Sequence, residues 1–111
     1  MTPMPREYDF WVYILSSRSH NLYIGVTNSL RRRTGTHRDS NPGTHTAKYN
    51  IHRLVYYEHH KYVINALTRE TELKHWTRAQ KIALIDSVNP TWEDLATTLY
   101  PDLPPYPRKD G

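Results

Sequence analysis

The chain is predicted to be α+β, a three-stranded antiparallel sheet flanked by helices in the order β-β-α-β-α-α. Two segments rich in aromatic and branched residues, FWVYIL (10–15) and LYIGV (22–26), flank the turn-forming SSRSHN, the pattern of a β-hairpin. A third such segment, RLVYYEHH (53–60), follows the Asn-Pro-Gly loop DSNPGTHT (39–46). Beyond Tyr62 the apolar spacing lengthens to that of a helix.

Each element has a local cause. If Leu15 pairs with Asn21 around a five-residue loop, Tyr13 lies directly opposite Tyr23 and both phenols share a sheet face. Asn28 and Ser29 are N-cap residues for a short first helix that Gly35 weakens. Val63, Ala66, Leu67, Leu73 and Lys74 are expected on one face of a longer helix that Trp76 closes. TRAQ (77–80) has the form of a capping box opening a further helix. That helix carries Ala79, Ile82, Ala83 and Ile85 to near Val88, and Asn89-Pro90 stops it. Thr91 is placed to cap a last short helix over WEDLATTL. We divide the chain into an N-terminal extension (1–8), one folded domain (9–99) and a C-terminal tail (100–111), extended or disordered because four of its twelve residues are proline.

Bulk composition narrows the function class. At 111 residues the chain is one domain. Fifteen Lys and Arg against eleven Asp and Glu, a pI near 9.4 and a mean hydropathy of −0.81 suggest a polyanionic partner. The absence of Cys excludes a disulfide framework and Cys-ligated zinc. No apolar run approaches a membrane span, and MTPMPREYDF lacks the apolar core of a signal peptide. A cytoplasmic protein that does not engage a membrane is expected.

Helical phase divides the basic run NSLRRRTGTH (28–37). Counting from Leu30, positions 33, 34 and 37 share its side, so Arg33 and His37 are expected to face inward. Arg31 and Arg32 then lie on the rim, solvated or touching phosphates. An inward guanidinium cannot lose its proton and needs an anion, which points to a phosphate site. Glu70 falls inside the apolar stripe of the longer helix, whereas Glu72 falls off it. A carboxylate so placed either pairs with a basic residue or holds a hard cation; magnesium takes one or two protein carboxylates and keeps waters. With no second inward carboxylate at useful spacing, one metal is favoured over two. Gly25, inside a strand, marks a close approach to the backbone.

VYI (12–14), YIG (23–25), Arg33 ten residues after Tyr23, His37 and a helical glutamate, in that order, resemble the GIY-YIG endonuclease superfamily. The resemblance spans roughly residues 9–96 and is greatest to small stand-alone bacterial members of the excinuclease-like kind; ALTRETELKHWTRAQKIALI and NPTWEDL belong to it too. Val12 replaces the leading glycine of the first motif. The resemblance implies a DNA endonuclease hydrolysing phosphodiester bonds with one Mg²⁺ or Mn²⁺, acting in DNA repair or recombination. It makes Tyr13 the general base or water-positioning phenol and Tyr23 the partner of the attacking water or scissile phosphate. Arg33 stabilises transition-state charge, His37 relays a proton, Glu70 holds the metal, and Asn89 matches a late site asparagine. Gly25, Arg31, Arg32 and Lys48 are expected nucleic-acid contacts; His45, Lys48 and Tyr49 are unranked candidates from the loop before the third strand. A monomer or weak homodimer is expected, with a protein partner for targeting.

Other readings compete. ELK (72–74) fits the Glu-x-Lys of restriction-type nucleases but falls mid-helix, where that motif needs a strand. His59 and His60 are adjacent on a strand and face opposite sides, so they do not form a metal pair. A non-catalytic nucleic-acid-binding module on the same scaffold is the main alternative. An interaction protein using PDLPPYP is a further one.

Overall fold

A computed structural model of the chain describes residues 9–38 and 51–102, and for residues 35–38 the backbone alone. The extension 1–8, the loop with His45, Lys48 and Tyr49, and the tail from residue 103 lie outside the described residues. The elements are β1 (Phe10–Ser16), β2 (Leu22–Thr27), α1 (Leu30–Arg38), β3 (Arg53–His60), α2 (Val63–His75), α3 (Arg78–Val88) and α4 (Ala96–Leu99). β1 is central and antiparallel to both neighbours, giving the order β2-β1-β3. The expected α+β class and element order are those observed.

The hairpin register differs from expectation by two residues. Tyr13 stands opposite Gly25, and Leu15 opposite Tyr23. Ser16 continues the strand, so the five-residue loop begins at Ser17, whose hydroxyl accepts the Asn21 N–H at 3.0 Å. His20 supplies the left-handed residue of the turn at φ 67°. A two-residue change preserves side-chain parity, so Tyr13 and Tyr23 still share a face, as diagonal neighbours.

The sheet has two buried faces. Val12, Ile14, Ile24 and Tyr56 pack beneath α2 and α3 through Ala66, Leu73 and Ile85. Tyr13 and Leu15 face the other way and meet Leu30 of α1, Ile51, Leu54 and Ala96 of α4. The seam of α2 is narrower than its periodicity predicts: only Ala66 and Leu73 are buried, while Val63 and Leu67 are nearly half exposed. On α3 only Ile85 is buried, and Ala79, Ala83 and Val88 are exposed.

The capping box of TRAQ is present, with Gln80 N–H donating to Thr77 Oγ1 at 3.1 Å and Thr77 N–H to Gln80 Oε1 at 2.9 Å. The last helix is shorter than expected, because Trp92 adopts φ 56° and interrupts any helix from Thr91. Residues 100–102, expected to open a loose tail, lie against the domain: Tyr100 packs beside the Tyr13 cluster and Asp102 pairs with Arg31.

Candidate active site

The site is built around one phenol. Tyr13 is 1% exposed in the middle of the central strand, and its ring runs across β2 over Gly25. A Cβ added at Gly25 would lie 2.5 Å from Tyr13 Oη and 2.7 Å from Cζ. The close approach read from the glycine is therefore made by Tyr13, and the space over this backbone, expected to receive nucleic acid, is filled by protein. Gly25 is needed for the ring to lie flat against the strand, not for a special backbone angle.

Tyr23 lies diagonally across, half-buried, with ring centroids 6.3 Å apart and its hydroxyl in hydrogen-bonding reach of Tyr13. Burial first, and Tyr23 second, push the Tyr13 hydroxyl well above the usual phenol range; Glu70 adds to this, and Arg33 opposes it. Residues from β2, α1 and α2 thus act on a single hydroxyl of β1. A phenol held toward its neutral form favours the water-positioning alternative for Tyr13 over the general-base one.

Arg33 is exposed, contrary to the inward position given by helical phase. Thr34 takes the inward place beside Leu30, its hydroxyl donating at 3.0 Å to the carbonyl oxygens of Leu30 and Arg31. A threonine that satisfies itself on its own helix can be buried, whereas a guanidinium there would need an anion. Arg33 instead sits on the flank, solvated yet within electrostatic reach of Tyr13. The cap is Ser29, whose Oγ accepts from Arg32 N–H at 3.2 Å. His37 lies one turn beyond Arg33 in α1, and its side chain is outside the described residues.

Glu70 lies on the flank of α2, half-buried, 3.1 Å from Lys74 Nζ. The basic-partner reading of this carboxylate is therefore realised. Lys74 is more than half exposed and gives a weak restraint that a cation can displace. No cluster of three or more His, Cys, Asp or Glu that could hold a metal occurs among the described residues. The donor set fits a hard cation taking one carboxylate and keeping most of its waters, and does not fit a fully protein-ligated metal.

Two expected contacts are placed elsewhere. Asn89 is 3% exposed, and its carboxamide donates to the carbonyls of Val55 (3.1 Å) and Glu93 (2.9 Å) and accepts from Glu93 N–H (3.2 Å). These bonds tie the end of α3 to β3 and to the segment that follows, which gives Asn89 a structural role. Arg31, expected to be solvated or to touch phosphate, is gripped by both oxygens of Asp102 and lies over the Tyr100 ring. That grip holds the Asp102 carboxyl below its ordinary value. Arg32 donates to Asn28 Oδ1 at 3.1 Å and is exposed.

One inward carboxylate is missing from the sequence reading. Glu58 is opposite Val12 on the α2 side of the sheet and receives Arg69 Nε at 2.8 and 3.2 Å. Its signals were present: Glu58 alternates with Tyr56 on β3, and Arg69 lies three residues after Ala66 and four before Leu73. His59 and His60 do point apart, to Asp9 and Glu58 respectively. The Glu-x-Lys at 72–74 lies within α2, away from any strand.

The family described as GIY-YIG catalytic domain matches residues 9–83, the span holding Tyr13, Tyr23, Arg33 and Glu70. The chain belongs to the GIY-YIG family. This is a nuclease family, and Asn89 falls beyond the matched span. Among similar proteins, a UPF0213 protein of Clostridium perfringens is 36% identical over 77 residues, covering 69% of this chain and 83% of that one. A UPF0213 protein of Natronomonas pharaonis is 37% identical over 81 residues, covering 69% and 91%. The solution NMR structure of a UPF0213 protein from Bacillus halodurans matches with a TM-score of 0.52 at 26% identity, covering 80% of this chain and 95% of that one. The GIY-YIG fold and the three-stranded sheet with flanking helices are thus shared. No helix among the described residues is long and apolar enough to cross a membrane.

Proposed function

We propose that the chain is a DNA endonuclease that hydrolyses phosphodiester bonds with a single Mg²⁺ or Mn²⁺ held by Glu70. The observation that carries this reading is the convergence on the Tyr13 hydroxyl of Tyr23, Arg33 and Glu70, drawn from three elements other than its own strand. A guanidinium and a carboxylate within electrostatic reach of the same phenol suit a phosphate that needs both a positive side chain and a cation.

Arg33, exposed and permanently charged, meets the incoming phosphate and takes up the charge that grows on its oxygens during attack. Tyr23, half-buried, presents its hydroxyl to orient the attacking water. Tyr13 stays protonated, fixes Tyr23 by hydrogen bonding and excludes water beneath the reacting atoms. His37, one turn from Arg33, carries an imidazole, the side-chain type suited to accepting a proton from the water. The cation, when bound, polarises the phosphate and stabilises the leaving oxygen. Exposed Arg32 contributes affinity at the rim. A role in DNA repair or recombination is part of the same proposal.

The test is incubation of purified protein with nicked, branched, single-stranded and duplex DNA in Mg²⁺, beside Arg33→Ala and Glu70→Ala. Wild type should cut at least one substrate. Arg33→Ala should slow cutting by about 10²- to 10³-fold, the cost of removing one donor aimed at developing charge, with little change in DNA affinity. If wild type cuts none, or both variants cut as well as wild type, the proposal fails. Binding without cutting supports the binding-module alternative.

A further inference from the structure

We infer that Glu58 and Arg69 are positioning residues: together they set the rotation of α2 about its axis and so hold the Glu70 carboxylate where a cation can use it. The inference rests on the one-metal reading above. The apolar packing of α2 restrains its rotation only over a narrow seam. That seam is two buried residues over thirteen, Ala66 and Leu73. Val63 and Leu67, which would widen the seam on the Glu70 side, are nearly half exposed.

The restraint lies on the opposite flank. Arg69 grips both oxygens of Glu58 on β3, donates to Glu72 Oε1 at 2.8 Å, and lies 5.2 Å from the Trp76 ring centre. Glu58 is itself held by Tyr56 Oη at 3.1 Å and approached by His60 Nε2 at 3.3 Å. Arg69 and Glu70 are consecutive, so they project about 100° apart, and a clamp on one dictates the direction of the other. A helix with side chains has a radius of about 5–6 Å, so a 10° rotation carries the Glu70 carboxylate about 1 Å. Site groups tolerate only about 0.5 Å. The pair touches neither substrate nor metal; it acts through Glu70.

The experiment is a Mn²⁺ titration of the folded protein, followed by paramagnetic broadening of the backbone amide NMR signals of Tyr13, Tyr23, Gly25 and Glu70. Wild type should show saturable broadening that Glu70→Gln abolishes. Arg69→Met should weaken Mn²⁺ binding about 10- to 100-fold, the usual cost of losing a group that orients a ligand. Because that variant strands the Glu58 charge, Glu58→Gln/Arg69→Met is measured beside it. The pair variant leaves no buried charge and should keep the dispersed spectrum while binding Mn²⁺ as weakly as Arg69→Met. Arg69→Lys, which keeps the charge and gives up the two-oxygen grip, should fall between. Arg78→Met, which loses only a bond to the His20 carbonyl, should bind like wild type. A folded Glu58→Gln/Arg69→Met variant with wild-type Mn²⁺ affinity overturns the inference and leaves the metal reading intact. Broadening of wild type that Glu70→Gln does not reduce overturns the metal reading and the inference with it.

Discussion

Gly25→Ala tests the centre of the site with one methyl group. The added Cβ would stand 2.5 Å from Tyr13 Oη and 2.7 Å from Cζ, whereas ordinary contacts begin near 3.4 Å, so the phenol must move by about 1 Å. Tyr13 is 1% exposed and closely surrounded, so it has no free rotamer to adopt. Overpacking of this kind costs about 1–3 kcal/mol. The entropy saved by replacing a strand glycine offsets about 0.5–1 kcal/mol. A net loss on the order of 1–2 kcal/mol should lower the melting temperature by roughly 5–10 °C in a domain of this size. The same displacement should cut the cleavage rate about 10²-fold, as 1 Å errors in catalytic geometry do. Thermal melts and initial cleavage rates read both effects. Introduced into Tyr13→Phe, which lacks the nearest atom, the substitution should destabilise less, a non-additivity of at least about 0.5 kcal/mol. A Gly25→Ala protein that melts no lower than wild type and cuts at its rate would refute the reasoning.

Asn89→Ala should lower stability by about 1–3 kcal/mol, because the buried Val55 carbonyl and the part-buried Glu93 backbone lose their partner; below its melting temperature its cleavage rate should stay within about threefold of wild type, and a large loss in a folded variant would favour a site role for Asn89. The Tyr13 proton is bound more tightly in the folded than in the unfolded chain, so its stabilising contribution is complete below about pH 10 and falls as pH rises further. Ultraviolet titration should find no Tyr13 phenolate below about pH 9, and Tyr13→Phe should remove a late-titrating phenol; an early-titrating one would restore the general-base role. Asp102→Asn should leave the melting temperature unchanged, since its pair with Arg31 is exposed, while freeing Arg31 to steepen the salt dependence of DNA binding. An unchanged salt slope would show that Arg31 does not meet phosphate.

How far the chain could be read without its tertiary structure varied with the range of the interactions. The three strands, the capping box at Thr77 and Gln80, and the helix over 63–75 rest on neighbours within a few residues, and local pattern suffices for those. The hairpin register did not follow from local pattern, because a loop of the same length can begin at Ser16 or Ser17. Parity preserved the shared face of Tyr13 and Tyr23 even so. The inward place on α1 was given to Arg33 when Thr34 holds it, since phase alone does not distinguish two neighbouring polar residues. What separates them is desolvation: threonine can satisfy its hydroxyl on its own helix and arginine cannot.

The linear order of residues was enough to read the α+β class and the family and to propose the set Tyr13, Tyr23, Arg33 and Glu70, because spacing and residue chemistry are local properties of the chain. Packing bears on what those residues can do. It laid Tyr13 over Gly25 and buried its hydroxyl, which pushes that phenol above its ordinary range. It occupied Asn89 in a cap, drew Arg31 onto Asp102, and joined Glu58 to Arg69 beside Glu70. Each depends on groups brought together from distant parts of the chain, and burial and charge act through that proximity alone.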